Sequence, residues 1–268
     1  TDVTNGLGQQ WSYFYDAANQ LTQVLTPAVA GQRLSTRYAY DALGNVTSIT
    51  DGRGNAVTYQ YDAKGNRTLE RDALGNTLTR LFSASNQVLN ETRYTTPASL
   101  KNGVWSEPPA TSARTKRYVY DAADRLRFTV DETGMVSEQR YSASGLRTQV
   151  IVYTDSTISI VGLQPSDVLT EAQLNAWIAA RDKTQSQLTE VVYDYRGNLS
   201  KTTTYATVNS AGAGVLDAAA TVTELVYSES GLLLQTITVR GVSRTTKTTL
   251  SSVTYDGQGR TLSQLGSN

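Results

Sequence analysis

Residues 38–46 read Tyr-Ala-Tyr-Asp-Ala-Leu-Gly-Asn-Val, and their pattern returns along most of the chain. The pattern is an aromatic residue, any residue, Tyr-Asp, any two residues, Gly-Asn and then an apolar residue. A second copy follows at residues 59–67, and recognisable copies begin at Tyr118 and Val191. Repetition, rather than a catalytic motif, is therefore the main signal in this sequence.

The copies follow a regular period. Their second aromatic residues stand at nine positions: Tyr15, Tyr40, Tyr61, Phe82, Tyr120, Tyr141, Tyr193, Tyr227 and Tyr255. Three of the gaps between them are 21 residues, and the others are longer by 4, 17, 31, 13 and 7 residues. A fixed period with insertions between units predicts a repeat architecture.

Each period contains a second turn signal. Residues 51–55 (Asp-Gly-Arg-Gly-Asn) and 72–76 (Asp-Ala-Leu-Gly-Asn) place a Gly-Asn pair ten residues after that of the preceding copy. Gly and Asn both tolerate positive φ, and a preceding Asp can hydrogen-bond the backbone two residues on. Runs rich in Thr, Tyr and Val separate these turns and favour strands. One period is therefore predicted to be one two-stranded hairpin.

The predicted fold is all-β, with residues 1–268 forming a single array of repeated hairpins and one short inserted helix. A proline-containing loop is expected at 95–116, and a loop of small residues, reading as an exposed excursion, at 208–221. The insertion at 157–190 differs from these because it contains a predicted helix at about 170–182. Nine hairpins give at most eighteen strands, or a strip roughly 85 Å long at about 4.8 Å per strand.

The predicted helix has a start signal and a narrow apolar stripe. Thr170 is placed as its N-cap, and Gln173 is placed to complete a capping box. Leu174, Trp177 and Ile178 fall at helical spacing. So short a stripe needs a surface to lie against. The helix either covers the sheet, which is the commoner arrangement, or docks a partner or enclosed cargo.

Tyrosine dominates the aromatic residues, with 16 Tyr against three Phe. A dry two-layer core favours Phe, Leu and Ile, whereas a Tyr ring packs while its hydroxyl stays in water. Strand alternation puts Tyr38 and Tyr40 on one face, and Tyr59 and Tyr61 repeat this in the next hairpin. Stacked ladders of tyrosine rings are therefore expected along a sheet with much of both faces near solvent.

Composition excludes several classes of site. The chain has no His and no Cys, so Ser-His-Asp and Cys-His catalysis, thiolate-metal sites and disulfides are excluded. Twenty-four basic and 24 acidic side chains give no overall attraction to nucleic acid. No apolar run is long enough for a membrane span, and the first residues do not resemble a signal peptide. The chain is expected to be a piece of a longer repeat protein, with any export signal coded elsewhere.

The repeated aspartates could in principle bind calcium. Turn formation is the favoured interpretation, because calcium loops place acidic residues at closer alternating positions than residues 51–55 do. No cofactor or metal is therefore expected. The residues given structural roles in the repeat are Tyr15, Asp16, Tyr38, Tyr40, Asp41, Gly44, Asn45, Tyr59, Tyr61, Asp62, Gly65, Asn66, Tyr118, Tyr120, Asp121, Tyr193, Asp194, Gly197, Asn198, Tyr255 and Asp256.

Aromatic side chains could also bind sugar rings. A tyrosine that recurs in every hairpin is more often a packing residue, so Trp11, Trp105 and Trp177 are the better candidates for surface contacts. A carboxylate pair of the glycosidase type remains open, because separation cannot be read from sequence. Nothing singles out such a pair, and no enzyme activity is expected.

The repeated Tyr38-x-Tyr40-Asp41-x-x-Gly44-Asn45 pattern resembles the YD repeats of Rhs-type proteins. These include bacterial polymorphic toxins, the C component of Tc insecticidal toxin complexes and the extracellular teneurins. The resemblance covers residues 11–262 apart from the insertions. It implies a β-sheet strip that curves or spirals into a hollow shell, which in the toxins encloses a C-terminal effector.

The resemblance implies a structural role for this chain. It would be a wall segment of a large secreted or cell-surface protein, with the remainder of that protein and an enclosed effector as its partners. The core that follows the repeats in the family, with its Asp-Pro motif and self-cleaving aspartates, has no counterpart here, since the chain contains no Asp-Pro pair. The alternative is a carbohydrate-binding or adhesion module that uses the repeated aromatic face.

Overall fold

The computed structural model describes residues 1–240 and 246–266. It divides into two compact units, residues 1–117 with 162–168 and residues 118–161 with 169–268. In each unit the strands follow one another as an antiparallel meander, as the hairpin repeat predicts. In the described residues, no helix is long and apolar enough to cross a membrane.

The first unit contains eleven complete strands. They are β1 (Asp2–Thr4), β2 (Gln10–Tyr15), β3 (Leu21–Leu25), β4 (Ser35–Tyr40), β5 (Val46–Thr50), β6 (Ala56–Tyr61), β7 (Arg67–Arg71), β8 (Thr77–Phe82), β9 (Val88–Tyr94), β10 (Leu100–Lys101) and β11 (Val104–Trp105). The next strand, β12 (Ala113–Tyr120), crosses the division between the units and pairs with β9. β10 and β11 form a separate small hairpin.

Among its described residues, the second unit contains the helix α1 (Glu171–Ala179) and eleven further strands. They are β13 (Leu126–Val130), β14 (Val136–Tyr141), β15 (Arg147–Tyr153), β16 (Ser186–Tyr193), β17 (Leu199–Tyr205), β18 (Thr207–Val208), β19 (Gly214–Val215), β20 (Thr221–Tyr227), β21 (Leu233–Arg240), β22 (Thr246–Tyr255) and β23 (Thr261–Gly266). β18 and β19 pair only with each other. The other nine strands follow the meander.

Nine five-residue turns follow the predicted motif copies, and we call them the Tyr-Asp turns. They begin at Asp16, Asp41, Asp62, Ser83, Asp121, Ser142, Asp194, Ser228 and Asp256. Because strands alternate in direction, the Tyr-Asp turns of each unit lie at one end of its strands. The remaining connections lie at the other end, which we call the variable side.

The insertions all lie on the variable side, and the first two are shorter than predicted. β12 begins at Ala113 and β16 at Ser186, inside the segments predicted as 95–116 and 157–190. The added strand residues pair with β9 and β15, so backbone pairing extends the sheet into both segments. We call the resulting connections the proline-rich insertion (95–112), the helical insertion (154–185) and the small-residue insertion (206–220).

The helix also differs from its predicted limits. Thr170 is its N-cap, and the Thr170 hydroxyl and the Gln173 side chain form a capping box. The helix ends at Ala179, three residues before the predicted end at 182, because Asp182 caps a separate 3₁₀ turn at Lys183–Gln185.

The two units bury different kinds of residue. The second has an apolar core on one sheet face, formed by Phe128, Val130, Val136, Ile151, Tyr153, Leu174, Leu188, Tyr205, Val208 and Ala220, with Val119. Val208 and Ala220 are buried in this core. The segment predicted as an exposed loop at 208–221 is therefore not exposed throughout, because its two ends pack against one face of the sheet. The corresponding face in the first unit is polar and buries Arg71, Asn90, Thr92, Thr115 and Arg117.

Candidate functional site

The Tyr-Asp turns share one geometry, which residues 41–45 illustrate. The Asp41 amide donates to the Asn45 carbonyl oxygen over 3.0 Å, and the Asp41 Oδ1 accepts from the amides of Leu43 and Asn45, each over 2.9 Å. Gly44 has a φ of +87°, a conformation that glycine adopts without steric cost. The aspartate therefore holds its turn through backbone amides.

In the Gly-Asn pairs, the asparagine contributes a side-chain hydrogen bond and not the positive φ that the sequence allows for either residue. The positive φ falls on Gly44, while the Asn45 Nδ2 donates to Asp41 Oδ2 over 2.9 Å and so binds the second carboxylate oxygen. Equivalent contacts to their aspartates are made by Asn66, Asn198, Arg125 and Arg260. Where glycine is missing, the positive φ falls on Asn19, Asn86 and Asp124, at 62°, 62° and 59°.

These hydrogen bonds favour the ionised carboxylate. The Asn45 side chain is the largest influence that lowers the pKa of Asp41, and Asn66 and Asn198 act in the same way on Asp62 and Asp194. Within the described residues, no group of three acidic side chains is placed to hold a metal ion. The carboxylates thus have turn amides as their partners.

A β-bulge accompanies the Tyr-Asp turn. Ala39 lies opposite Ser48 and Tyr40 opposite Val46, so Thr47 is an extra residue in β5. The same register shift occurs in the hairpins whose first strand ends at Tyr15, Tyr61, Phe82, Tyr141, Tyr193, Tyr227 and Tyr255. A bulge at a constant position bends and twists these eight hairpins alike.

The second tyrosine of the motif links its hairpin to the preceding one. The Tyr61 hydroxyl donates to the carbonyl oxygen of Val46 over 2.8 Å, and Tyr40 donates likewise to Leu21 over 2.8 Å. Four further links have the same form: Tyr141 to Leu126, Tyr193 to Arg147, Tyr227 to Leu199 and Tyr255 to Leu233. In every case the acceptor is the first residue of the strand after the previous Tyr-Asp turn.

These links correct the expectation that the hydroxyls stay in water. Sequence reasoning missed them, although the excess of Tyr over Phe at this position was a usable signal. The structure places the other predicted residues at fixed points of the hairpin. The second motif aromatic ends its strand at Tyr15, Tyr40, Tyr61, Tyr120, Tyr193 and Tyr255, and the first stands two residues earlier at Tyr38, Tyr59 and Tyr118. The first residue of the turn is Asp16, Asp41, Asp62, Asp121, Asp194 or Asp256. The fourth residue of the turn is Gly44, Gly65 or Gly197, and the fifth is Asn45, Asn66 or Asn198.

Two insertions dock on turns of the variable side by the same contact. The Ala98 amide donates to the Gly75 carbonyl oxygen, and the Ile158 amide donates to that of Gly134, both over 2.9 Å. A Cβ atom at Gly75 would lie 2.1 Å from the Ala98 oxygen, and one at Gly134 would lie 2.3 Å from the Ile158 oxygen. Glycine is thus required at both turns by the peptide that lies over it.

Within the first unit, residues 162–168 are held by buried polar side chains of β9 and β12. The Asn90 Nδ2 donates to the carbonyl oxygens of Pro165 and Asp167, at 2.8 and 3.0 Å. The buried Arg117 donates to the carbonyl oxygens of Gln164 and Asp167, at 3.1 and 3.2 Å. Burial lowers the pKa of Arg117. Main-chain oxygens therefore replace much of the lost hydration of this guanidinium.

The proline-rich insertion covers a second buried arginine. The Arg71 guanidinium lies 5.4 Å from the centre of the Trp105 ring and 3.6 Å from a Glu107 oxygen, and its Nε donates to the Thr77 hydroxyl. Trp105, predicted as a candidate surface contact, is thus placed over a cation of its own unit.

In the second unit, an ionic cluster joins the sheet to the helix. Glu138 is buried and lies 2.6 Å from Arg127 and 2.7 Å from Arg140, and the Tyr153 hydroxyl also donates to it. Burial raises the pKa of Glu138, but the hydrogen bonds from Arg140 and Tyr153 outweigh it and the net pKa is lowered. These contacts favour the ionised form of the carboxylate and link β13, β14 and β15.

The helix lies against the sheet of its own unit. Leu174 is fully buried in the core, and Trp177 packs edge-on against Tyr153 with ring centres 5.9 Å apart. Glu171, in the first helical turn, lies 3.7 Å from Arg127. Trp177 thus packs within its own unit. Trp11 is half-buried in β2 and lies opposite Val3.

Comparison with known proteins identifies the repeat and the fold. The RHS Repeat family model matches residues 1–28, 29–56 and 40–77. No curated protein sequence matches the chain. A crystal structure of TcdB2-TccC3 without its hypervariable C-terminal region matches with a TM-score of 0.56 at 14% identity, covering 97% of this chain and 13% of that one.

Two related structures give the same result. A Tc holotoxin pore from Photorhabdus luminescens with mutated TccC3 matches with a TM-score of 0.54 at 15% identity, covering 97% of this chain and 13% of that one. A TcdB2-TccC3-TEV crystal structure has a TM-score of 0.52 at 15% identity, with coverages of 95% and 13%. At these identities the likeness is one of fold, and the chain spans about 13% of the length of the matched chains.

Proposed function

We propose that this chain, whose residues 1–77 match the RHS Repeat family model, forms a wall segment of a larger secreted or surface protein whose repeats enclose or present a toxin effector. The proposal gives the segment a structural role and no catalytic step. Its partners are the remainder of the same protein and the effector. One matched TcdB2-TccC3 structure lacks a hypervariable C-terminal region of TccC3, which supports the idea of a variable part associated with a constant wall.

The repeated link between hairpins is the observation that carries this proposal. Neighbouring hairpins pair along the backbone, and six hairpins add a tyrosine hydroxyl bond at the same position, as Tyr61 does to Val46. A unit that joins its neighbours by identical contacts can be extended by further copies without new chemistry. Continuous backbone pairing then makes a stiff wall, which suits containment.

The structure of the native full-length protein tests the proposal. We expect cryo-electron microscopy to show these repeats as part of a continuous wall around density that the repeats do not account for. Limited proteolysis should cleave the enclosed part only after mild denaturation has opened the wall. An open sheet with both faces in solvent, or an effector cleaved in the native protein as fast as in isolation, would contradict containment.

A further inference from the structure

The chain contains two Asn-Gly pairs, Asn5-Gly6 and Asn102-Gly103, which differ in how their side chains are held. In any Asn-Gly pair, the backbone nitrogen of the glycine can attack the side-chain carbonyl carbon of the asparagine, because glycine has no side chain to obstruct the approach. The attack closes a five-membered ring between groups that the chain already holds together. The surroundings of each pair therefore decide how fast it reacts.

Asn102 and Gly103 form the two-residue turn between β10 and β11. Lys101 lies opposite Val104, and the φ angles of Asn102 and Gly103 are +51° and +77°. Positive φ at both central residues is the geometry of a type I′ turn, for which Asn-Gly is a preferred pair. Both residues are exposed. Among the described residues, neither the Asn102 side chain nor the Gly103 amide has a hydrogen-bond partner, so both reacting groups are free.

Little structure has to open before Asn102 can react. Within the described residues, β10 and β11 contain two residues each and pair with no other strand. A two-stranded hairpin that stands alone is only marginally stable in water. The next contact along this hairpin is the Ser106 amide, which donates to the Ser99 carbonyl oxygen over 2.8 Å. The turn can therefore rotate into the geometry of attack while the main sheet stays paired.

The Asn5 side chain is restrained by three hydrogen bonds. Its Oδ1 accepts from the amides of Leu7 and Gln9, each over 3.0 Å, and its Nδ2 donates to the Gln9 Oε1 over 2.8 Å. Attack by the Gly6 nitrogen requires the side chain to leave these partners. Three hydrogen bonds of ordinary net strength should slow the reaction at Asn5 by at least about tenfold. Asn5-Gly6 is thus an internal control for Asn102-Gly103.

We propose that Asn102 is a site of spontaneous deamidation through a cyclic imide with Gly103. The Gly103 nitrogen loses its proton to water and forms a bond to the Asn102 Cγ, and the side-chain nitrogen leaves as ammonia. Water then opens the imide at one of its two carbonyl carbons, which gives aspartate or isoaspartate. Water is the only other reactant, and nothing is oxidised or reduced. This modification goes beyond the structural role proposed above.

The modification changes the proline-rich insertion. Both products carry a carboxylate where the turn had a neutral amide, and isoaspartate also adds one carbon atom to the backbone of the turn. Because the length of a hairpin turn fixes the register of its strands, isoaspartate should disturb the pairing of β10 with β11. Trp105 of β11 lies over the buried Arg71. Ageing at Asn102 should therefore loosen the cover of this cation.

Ageing of the folded protein at physiological pH and temperature tests the proposal. Incubation in water enriched in heavy oxygen labels every imide that opens during the incubation, and digestion with pepsin at acid pH avoids further deamidation. Mass spectrometry then measures the labelled fraction at both pairs of the same molecule. Asn102 should acquire label at least about tenfold faster than Asn5 in the folded protein. In urea the two rates should become similar, because the restraints on Asn5 are lost.

Two variants separate the chemistry from the fold. Asn102→Gln places the carbonyl carbon one bond too far for the five-membered ring, so it should acquire no label at position 102 and should unfold like the wild type. Gln9→Ala removes one restraint on Asn5 and should raise the rate at Asn5 by about two- to tenfold. Hydrogen exchange at the Ser106 amide should be faster in the aged wild type than in aged Asn102→Gln.

Three results would overturn the proposal. They are equal rates at the two pairs in the folded protein, label at Asn102 that appears only in urea, and an Asn5 rate that Gln9→Ala leaves unchanged. Exchange at the Ser106 amide that stays the same after complete modification of Asn102 would overturn the predicted loosening of the hairpin.

Discussion

At the scale of single residues, the Tyr, Asp and Asn positions of the motif are explained by the contacts that their polar side-chain atoms make. The tyrosine hydroxyl reaches the previous hairpin, the aspartate oxygens hold the turn amides, and the asparagine amide holds the second oxygen. The motif is thus a unit of assembly, repeated because every hairpin has to bend and join its neighbour in the same way.

The hydroxyl link can be tested by removing one oxygen. Tyr61→Phe deletes the bond to Val46 and leaves its carbonyl oxygen without that donor, so we expect a loss of about 0.5–1.5 kcal/mol in the free energy of unfolding. Tyr59→Phe is the matched control, because the Tyr59 ring contacts Arg67 and its change removes no such link. Urea denaturation measures both, and equal losses would show that the link contributes nothing.

The turn aspartates predict a dependence of stability on acid. Hydrogen bonds lower the pKa of Asp62 below its ordinary 3.8, so the unfolded state binds protons at a higher pH than the folded state. The contribution is therefore complete above the unfolded pKa and is lost as pH falls through the folded pKa. The stability difference between wild type and Asp62→Asn should be greatest above about pH 5 and shrink toward about pH 2.

The Asn66 side chain provides the control for this acid effect. Asn66→Ala removes the largest influence on the pKa of Asp62, so loss of stability should begin at a higher pH than in the wild type. Carboxyl titration followed by NMR measures the shift directly. An unchanged titration of Asp62 in this variant would contradict the assigned cause.

At the scale of elements, the insertions belong to the fold. Proline-rich and helical insertions each lay a peptide over a turn glycine, and their residues Glu107 and Glu171 pair with Arg71 and Arg127 of the strands. Their contacts stabilise the strands that precede them. The helix accordingly covers its sheet through Leu174, which was the commoner of the two arrangements considered from sequence.

Gly75 and Gly54 offer a matched test of this docking. Both have a strongly positive φ, +86° and +88°, so alanine costs a similar strain of about 1–2 kcal/mol at either position. At Gly54 the new Cβ meets no atom within 4 Å, whereas at Gly75 it collides with the Ala98 carbonyl. Gly75→Ala should therefore be the more destabilising by roughly 2 kcal/mol or more. Hydrogen exchange at the Ala98 amide should also accelerate in Gly75→Ala, and equal effects of the two changes would contradict docking.

The sequence predicted the repeated elements well because their signals are local. Tyr61, Asp62, Gly65 and Asn66 lie within six residues, and the turn they form needs little else. The burial of polar side chains on the covered sheet faces was not predicted, because it depends on residues that are distant in the chain. Arg117 resembles any strand arginine in the sequence, and its burial depends on oxygens of residues 162–168, some fifty positions away.

At the scale of the whole molecule, the length of the repeat period determines the direction of the strands, whichever copy is considered. Each 21-residue period contributes two strands, so removing a whole period keeps the direction of every later strand and the side on which its turns lie. Removing half a period reverses both.

Deletion of residues 46–66 removes β5 and β6 and joins Asn45 to Arg67, so that one Tyr-Asp turn leads directly into β7. We expect this variant to fold and unfold cooperatively, with correspondingly less strand signal in circular dichroism. Deletion of residues 46–55 removes one strand and one turn, and should abolish cooperative unfolding because later hairpins meet β4 in the wrong direction. Similar behaviour of the two deletions would refute a two-strand unit.

The separation of the two turn sides has a practical consequence for engineering. Tyr-Asp turns keep five residues in all nine copies, whereas connections on the variable side range from the five residues of 51–55 to the 32 of the helical insertion at 154–185. A foreign peptide should therefore be displayed between Arg53 and Gly54 rather than between Lys64 and Gly65. The same scaffold could carry a series of such grafts, one per period, each facing the same way as its neighbours.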